Sequence, residues 1–254
     1  MKRTSTTVAI LVSLLGATNH TSARGAEKLA SDNARTVQPD RYVCVVEDML
    51  KLCEPEKGFW IDLGAGKGQV AIPLIEKTGN PVTMLDPNAE AMAEGLEAAR
   101  AKGLEDRLFA VVGVAEDMPF PDNTVNFVAS RGSIFFWNDP GKGLREVYRV
   151  LRPGGKAMIG GGHGSGYPKE ATVEVIEQRK KKMDGEGEEA EKWSKFVKLR
   201  RPKQMQEWAE AAGLPKFQVM GKGAISAEDK RVGQGIWLLF EKKPEITARK
   251  EEDK

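Results

Sequence analysis

Between Phe59 and Gly160, five short and largely apolar runs alternate with stretches of helical periodicity: Phe59–Leu63, Val82–Leu85, Leu108–Val112, Val125–Ser130 and Lys156–Gly160. Strands that are apolar on consecutive residues, rather than on alternate ones, are covered on both faces, and that happens in parallel sheets flanked by helices. The intervening segments Gln69–Thr78, Asn88–Lys102 and Pro140–Leu151 read as those helices. Pro153-Gly154-Gly155 stops the last one, because proline cannot continue a helix and glycine supplies a left-handed cap. Strand following helix following strand commits the chain to an α/β fold with right-handed crossovers, hence a doubly wound, mostly parallel sheet.

The flanks carry other signals. Residues 1–26 contain no Asp or Glu, begin with Lys2 and Arg3, run through the apolar stretch Val8–Ala17 and then turn polar at the small-x-small site Thr21-Ser22-Ala23. That is the grammar of a signal peptide cleaved after Ala23, with an organelle transit peptide or an ordinary N-terminal helix as rival readings. Residues 27–57 form an N-terminal helical segment: Gln38-Pro39-Asp40 can start a helix with Val43, Val46, Met49, Leu50 and Cys53 at i, i+3, i+4 spacing, ending before Pro55. The main domain spans residues 58–243. Within it the strand signal vanishes from Gly161 to Arg201, which predicts an inserted helical lid over residues 163–201. Pro202 then opens a helix over Lys203–Ala212, and Phe217–Met220 and Gly235–Phe240 read as an antiparallel hairpin at one sheet edge. Residues 244–254 form a charged tail of disordered composition.

Composition excludes several function classes. Among 254 residues, 39 basic and 37 acidic side chains nearly cancel, so no field draws the protein to nucleic acid. The apolar run of ten residues, broken by Ser13, is half of what a membrane span needs, which is about 20. Two cysteines, Cys44 and Cys53, make neither a disulfide framework nor, without nearby histidines, a metal site; two free buried thiols are expected. Oligomeric state leaves no mark in the sequence.

The chemistry begins at Asp62-Leu63-Gly64-Ala65-Gly66-Lys67-Gly68, which follows a buried strand and precedes a helix, as a cofactor loop does. A dinucleotide fingerprint G-x-G-x-x-G places its last glycine where this chain has Gln69, and no G-x-x-x-x-G-K-[ST] is present, so nicotinamide or flavin dinucleotides and NTP fit poorly. Asp86, at the end of the second strand and 22 residues beyond Gly64, can accept hydrogen bonds from two ribose hydroxyls. Asp62 can counter an ammonium group. Two acids around a G-x-G-x-G loop suit a nucleoside bearing positive charge, and S-adenosylmethionine is such a ligand. Gly64, Ala65, Gly66, Gly68, Asp62, Asp86 and Pro87 are its candidate contacts.

Four motifs carry a family resemblance: Ile61–Gly68, Met84-Leu85-Asp86-Pro87, Ala115–Asp122 and Glu146–Gly155. On these the chain resembles the class I S-adenosylmethionine-dependent methyltransferases, in the branch that includes quinone-biosynthesis and other small-molecule methylases. The resemblance covers about residues 59–162. It implies a Rossmann-like sheet of seven strands in the order 3-2-1-4-5-7-6 with strand 7 antiparallel. It also implies that Ala115 and Glu116 lie against adenine, and that Ser130, Arg131 and the residues to Ser133 lie beside the methionyl group. Relatives carry Asp where this chain has Val114, and tend to carry Asp where it has Asn126.

For the acceptor, methyl transfer from a sulfonium is an in-line displacement that chiefly needs positioning and exclusion of water. His163, just past the fifth strand, is the candidate general base, since the other histidine, His20, lies in the targeting segment. Arg131 is a candidate for the cofactor carboxylate or an acidic acceptor. Phe136 and Trp137, with Tyr167 and Trp193 from the lid, are candidate substrate contacts. The leading expectation is an enzyme methylating a small molecule. A noncatalytic cofactor-binding or scaffold protein is the alternative, which an exported location would favour because the cofactor is cytosolic; a nicotinamide-dependent oxidoreductase is a more distant one.

Overall fold

A computed structural model describes residues 40–223 and 228–243, apart from the side chains of Arg179 and Glu189. The expectations placed on residues 1–26, on residues 27–39 and on the tail lie outside that range. The Asp40 carboxylate accepts from the backbone N–H of Tyr42 and caps α1 (Arg41–Cys53), which presents Val45, Val46, Met49 and Cys53 to the sheet. The alternation that follows is β1 (Trp60–Leu63), α2 (Ala71–Thr78), β2 (Val82–Asp86), α3 (Ala89–Arg100), β3 (Leu108–Val112) and β4 (Val125–Arg131). A short 3-10 turn, Ile134–Phe136, leads to α4 (Pro140–Val150) and β5 (Leu151–Gly162), and then to the helices α5 (Lys169–Met183), α6 (Glu188–Leu199) and α7 (Pro202–Ala211). The chain closes with β6 (Phe217–Gly221), β7 (Glu228–Asp229) and β8 (Gly233–Glu241).

The sheet runs β3-β2-β1-β4-β5-β8-β6, parallel as far as β5, with β8 inserted antiparallel between β5 and β6. This is the doubly wound order implied by the resemblance. The count differs: eight strands stand in place of the expected seven, because β7, which pairs only with β8, consists of two charged residues that carry no apolar signal. Strand β5 is also longer at both ends than its apolar core suggests. It begins at Leu151 opposite Val125, across an irregularity that accommodates Pro153, and it continues through Gly160-Gly161-Gly162. The inserted helices begin only at Lys169, since β5 runs to Gly162 and residue 163 still lies at the sheet end.

Two cores lie on opposite faces of the sheet. Alternate residues of each strand divide between them: Trp60, Met84, Phe127, Met158 and Trp237 pack with α1, α2 and α3, whereas Ile61, Leu85, Val128, Ile159 and Ile236 pack with α4, α6 and α7. The cysteines, Cys44 and Cys53, are free and buried in α1. No helix among the described residues is long and apolar enough to cross a membrane.

One helix position bears directly on the site. A Cβ at Gly95 of α3 would stand 2.9 Å from both the carbonyl carbon and the carbonyl oxygen of Lys67, in the loop after β1. Alanine in place of a mid-helix glycine ordinarily gains about 1 kcal/mol. Here the overlap is with backbone, and overpacking of that kind costs about 1–3 kcal/mol. Gly95→Ala is therefore expected to lower stability by roughly 1 kcal/mol, read from urea unfolding; a variant more stable than its parent would show that the loop yields.

Candidate functional site

The loop after β1 is held from two sides. The Gly64 N–H donates to the Leu85 carbonyl at 2.7 Å, and the Gly66 N–H donates to Asp86 Oδ2 at 2.9 Å. Gly66 has φ +52° with no atom within 4 Å of where a Cβ would stand, so its backbone borders open space at the carboxyl ends of β1 and β2. Asp86 also accepts from the Asn88 N–H at 2.8 Å, while Asn88 itself caps α3 through Ala91. Pro87 is exposed between them. Asp86 thus shapes the loop and its capping belongs to Asn88.

Asp62 is 1% exposed, and its Oδ2 accepts from the Ala71 N–H at the start of α2, at 3.0 Å. Burial pushes its carboxyl up to about 7, against that hydrogen bond; the Asp86 charge adds to the rise and Arg131 opposes it. A buried acid near neutrality beside an open glycine loop is a group that a cation would ionise.

On the other side of the loop, Ser133 is a hub. Its hydroxyl donates to the Leu63 carbonyl at 3.1 Å, meets Ser130 Oγ at 2.7 Å and accepts from Trp137 Nε1 at 3.2 Å. A Cβ on Gly64 would lie 2.1 Å from that of Ser133, so the β4 loop and the glycine loop are pressed together. Arg131 Nε donates to the Gly162 carbonyl at 2.9 Å and its guanidinium stacks 4.2 Å over the Tyr42 ring, with burial lowering its pKa. The structure thereby engages Arg131 with α1 and β5.

Beyond β3, Ala115 is buried and Val114 exposed. Glu116 turns one oxygen to the Asn138 and Asp139 N–H groups, at 2.7 and 3.1 Å, near the start of α4. His163 is wholly buried rather than lying in an open loop; its N–H donates to the Gln234 carbonyl and its ring meets Tyr167 edge-on at 5.3 Å. Phe136, 54% exposed, stacks on Phe196 of α6 at 5.5 Å, and Trp193 closes on Phe196 from the side. Phe136 and Phe196 floor a groove of about 590 Å³ that also takes in Trp137 and Trp208, with Lys192 and Lys195 at its rim, and Trp193 lines the adjoining hollow. Of the four aromatic candidates, Phe136, Trp137 and Trp193 border this groove and its neighbour, whereas Tyr167 lines neither and packs edge-on against His163.

Sequence reasoning passed over three residues that the structure makes conspicuous. Asp48 is buried in α1, where it holds the backbone and hydroxyl of Ser165; Arg200 is buried at the end of α6, where it donates to the Gly161 carbonyl at 2.8 Å; Gln234 is buried beside His163. A charged residue within an apolar stripe, as Asp48 is, was the available signal. Among the described residues no group of three or more His, Cys, Asp or Glu could hold a metal.

Known proteins were compared with this arrangement. Residues 61–159 match the family model described as Methyltransferase domain. A rice (Oryza sativa) 2-methyl-6-phytyl-1,4-hydroquinone methyltransferase 1, chloroplastic, is 38% identical over 100 residues, which is 39% of this chain and 29% of that protein. The Brucella abortus ubiquinone/menaquinone biosynthesis C-methyltransferase UbiE is 38% identical over 100 residues, covering 39% of this chain and 37% of that one. The chain thus spans only about a third of the length of these curated relatives. Among solved structures, a candidate S-adenosyl-L-methionine-dependent methyltransferase from Methanococcus maripaludis superposes with a TM-score of 0.66 at 24% identity, over 82% of this chain and 87% of that one. A SAM-dependent methyltransferase from Aquifex aeolicus superposes at 0.54 and 20% identity, over 79% and 93%. Residues 61–159 thus match a methyltransferase domain, and the fold around them is the one that these S-adenosylmethionine-dependent methyltransferase structures share.

The hub predicts its own cost. Ser133→Ala removes the acceptor of Trp137 Nε1–H and the partner of Ser130, both in part-buried hydrogen bonds. Loss of about 1–3 kcal/mol is expected in chemical denaturation, with the Trp137 fluorescence perturbed in the folded state.

Proposed function

We propose that the chain transfers the methyl group of S-adenosylmethionine to a small aromatic acceptor of the hydroquinone kind. The observation that carries this reading is the pair of carboxylates at the glycine loop: Asp62, buried with its pKa near 7, and Asp86, bonded to the Gly66 N–H. Each Asp86 oxygen keeps a lone pair beyond its backbone bond, which leaves capacity for two ribose hydroxyls. Asp62 gains a counter-ion in the cofactor's ammonium group. The open space at Gly66 lets the nucleoside lie against the backbone. Ala115 and Glu116 border adenine in this reading, and Ser130 and Arg131 the methionyl end.

The cofactor, when bound, supplies an electrophilic methyl on a sulfonium. What the protein has to supply is approach along the line of displacement, to about 3–3.5 Å, in a site closed to water. The groove of Phe136, Trp137, Phe196 and Trp208 offers stacking faces for a flat ring, adjacent to the Ser133 hub that touches the glycine loop. The names of the rice and Brucella relatives support an acceptor of that chemistry.

Two measurements test the reading. Binding of a cation lowers the Asp62 pKa, so the carboxyl gives up its proton; at pH 7 roughly half a proton should be released per cofactor bound. Affinity should accordingly rise several-fold between about pH 6 and 7.5, as Asp62 ionises in the free protein. Calorimetry in buffers of different ionisation enthalpy reads both quantities, and binding without proton release would remove Asp62 from the ammonium site. Asp86→Ala should weaken S-adenosylhomocysteine roughly tenfold or more, since a hydrogen bond to a charged acceptor contributes about 1.5–3 kcal/mol. An unchanged dissociation constant in the folded variant would place the ribose elsewhere.

A further inference from the structure

The register of β5 against β8 pairs Gly160 with Trp237, Gly161 with Ile236 and Gly162 with Gly235. The next pair along is His163 and Gln234, joined by the His163 N–H to the Gln234 carbonyl at 3.0 Å. Directly opposed residues of antiparallel strands put their side chains on the same face, with Cβ atoms about 4.5–5.5 Å apart. Faces alternate along a strand, so this pair shares the face of Gly161 and Ile236. That is the face of Phe135, whose ring edge would lie 3.1 Å from a Cβ on Gly161, and of Arg200, which reaches the Gly161 carbonyl. The pair therefore stands at the carboxyl end of the sheet, on the side covered by α6, which also contributes Phe196 to the aromatic groove.

Gln234 is 4% exposed, yet neither its Oε1 nor its Nε2 makes a hydrogen bond. A buried amide left unmatched is costly, and more than nine in ten buried polar groups in folded proteins have a partner. Nothing in the fold requires an amide here, since a buried leucine of similar volume would carry no such penalty. An amide offers a donor and an acceptor side by side, which is the complement of a hydroxyl that both donates and accepts.

We propose that the Gln234 side chain, beside the ring of His163, is a specificity-determining contact that holds the polar end of the methyl acceptor, a phenolic hydroxyl in the case of a hydroquinone. The inference rests on the methyltransferase reading above. Gln234 takes no part in cofactor binding, which belongs to the loops after β1, β2, β3 and β4, and it acts on which acceptor binds and in what orientation. Sites built to hydrogen-bond a hydroxyl discriminate against analogues lacking it far more strongly than apolar pockets discriminate by shape.

The test uses the full chain saturated with S-adenosylhomocysteine, with methylhydroquinone as probe under anaerobic conditions and its di-O-methyl ether as the counterpart that cannot donate. The wild type should bind the hydroquinone at least tenfold more tightly than the ether. Gln234→Leu should lose that preference, keep its S-adenosylhomocysteine affinity, and melt at the same temperature or higher because a buried unmatched amide has gone. Gln234→Asn, with the amide withdrawn by one methylene, should fall between. Unchanged discrimination in Gln234→Leu, or a lower melting temperature with both probes weakened equally, would overturn the assignment by making the amide structural. A wild type that binds S-adenosylhomocysteine but not methylhydroquinone would overturn it as well, leaving the cofactor reading intact. Failure of S-adenosylhomocysteine itself to bind would bring down the methyltransferase reading, and this inference with it.

Discussion

The N–H of Gly66 directed at the carboxylate of Asp86 is the contact on which the candidate site depends. It joins the ends of two neighbouring parallel strands, β1 and β2, so that their common twist sets the position of the loop between β1 and α2. From the opposite side Ser133 presses against Gly64, and from below Gly95 of α3 leaves just enough room for the Lys67 backbone. Three elements that meet only in the folded chain thus hold one short loop. A loop clamped in this way needs little reorganisation to receive a ligand, which conserves binding free energy.

Much of this fold can be read from residue patterns, for an identifiable reason. The parallel strands are apolar on both faces because helices cover both faces, and that leaves a local signature in Trp60–Leu63 and Val82–Leu85. Strand order leaves none, because pairing is a non-local choice, and here it came from the family resemblance. The strand signal stops at Gly160, yet Gly161 and Gly162 are strand as well: Cβ atoms at Gly160 and Gly162 would sit 2.1 Å from the Ile236 carbonyl oxygen and 2.7 Å from that of Gln234, so the glycines are what admit β8. That is also why His163 reads as an exposed loop residue when it is buried at a strand end.

The candidate site is legible where one strand and its following turn supply the residues, as with Asp62, Gly64, Gly66 and Asp86, which the fold brings to the ends of β1 and β2. It is not legible where partners lie far apart in the chain. Asp48 meets Ser165 across 117 residues, and Arg200 meets Gly161 across 39, so no window of sequence contains either pair. Both contacts fasten helices onto the end of β5, α1 from one face and α6 from the other.

Glu116 has a consequence of a different kind. Its carboxylate, carried on the loop after β3, is anchored by the N–H groups of Asn138 and Asp139, and the same short segment bears Phe136 and Trp137. A displacement of a few tenths of an ångström at one end of this tie must be taken up at the other, because closely packed elements transmit strain rather than absorb it. The loop after β3 and the aromatic groove consequently share one mechanical frame, and a substitution that reshaped the groove would be felt at Glu116 as well.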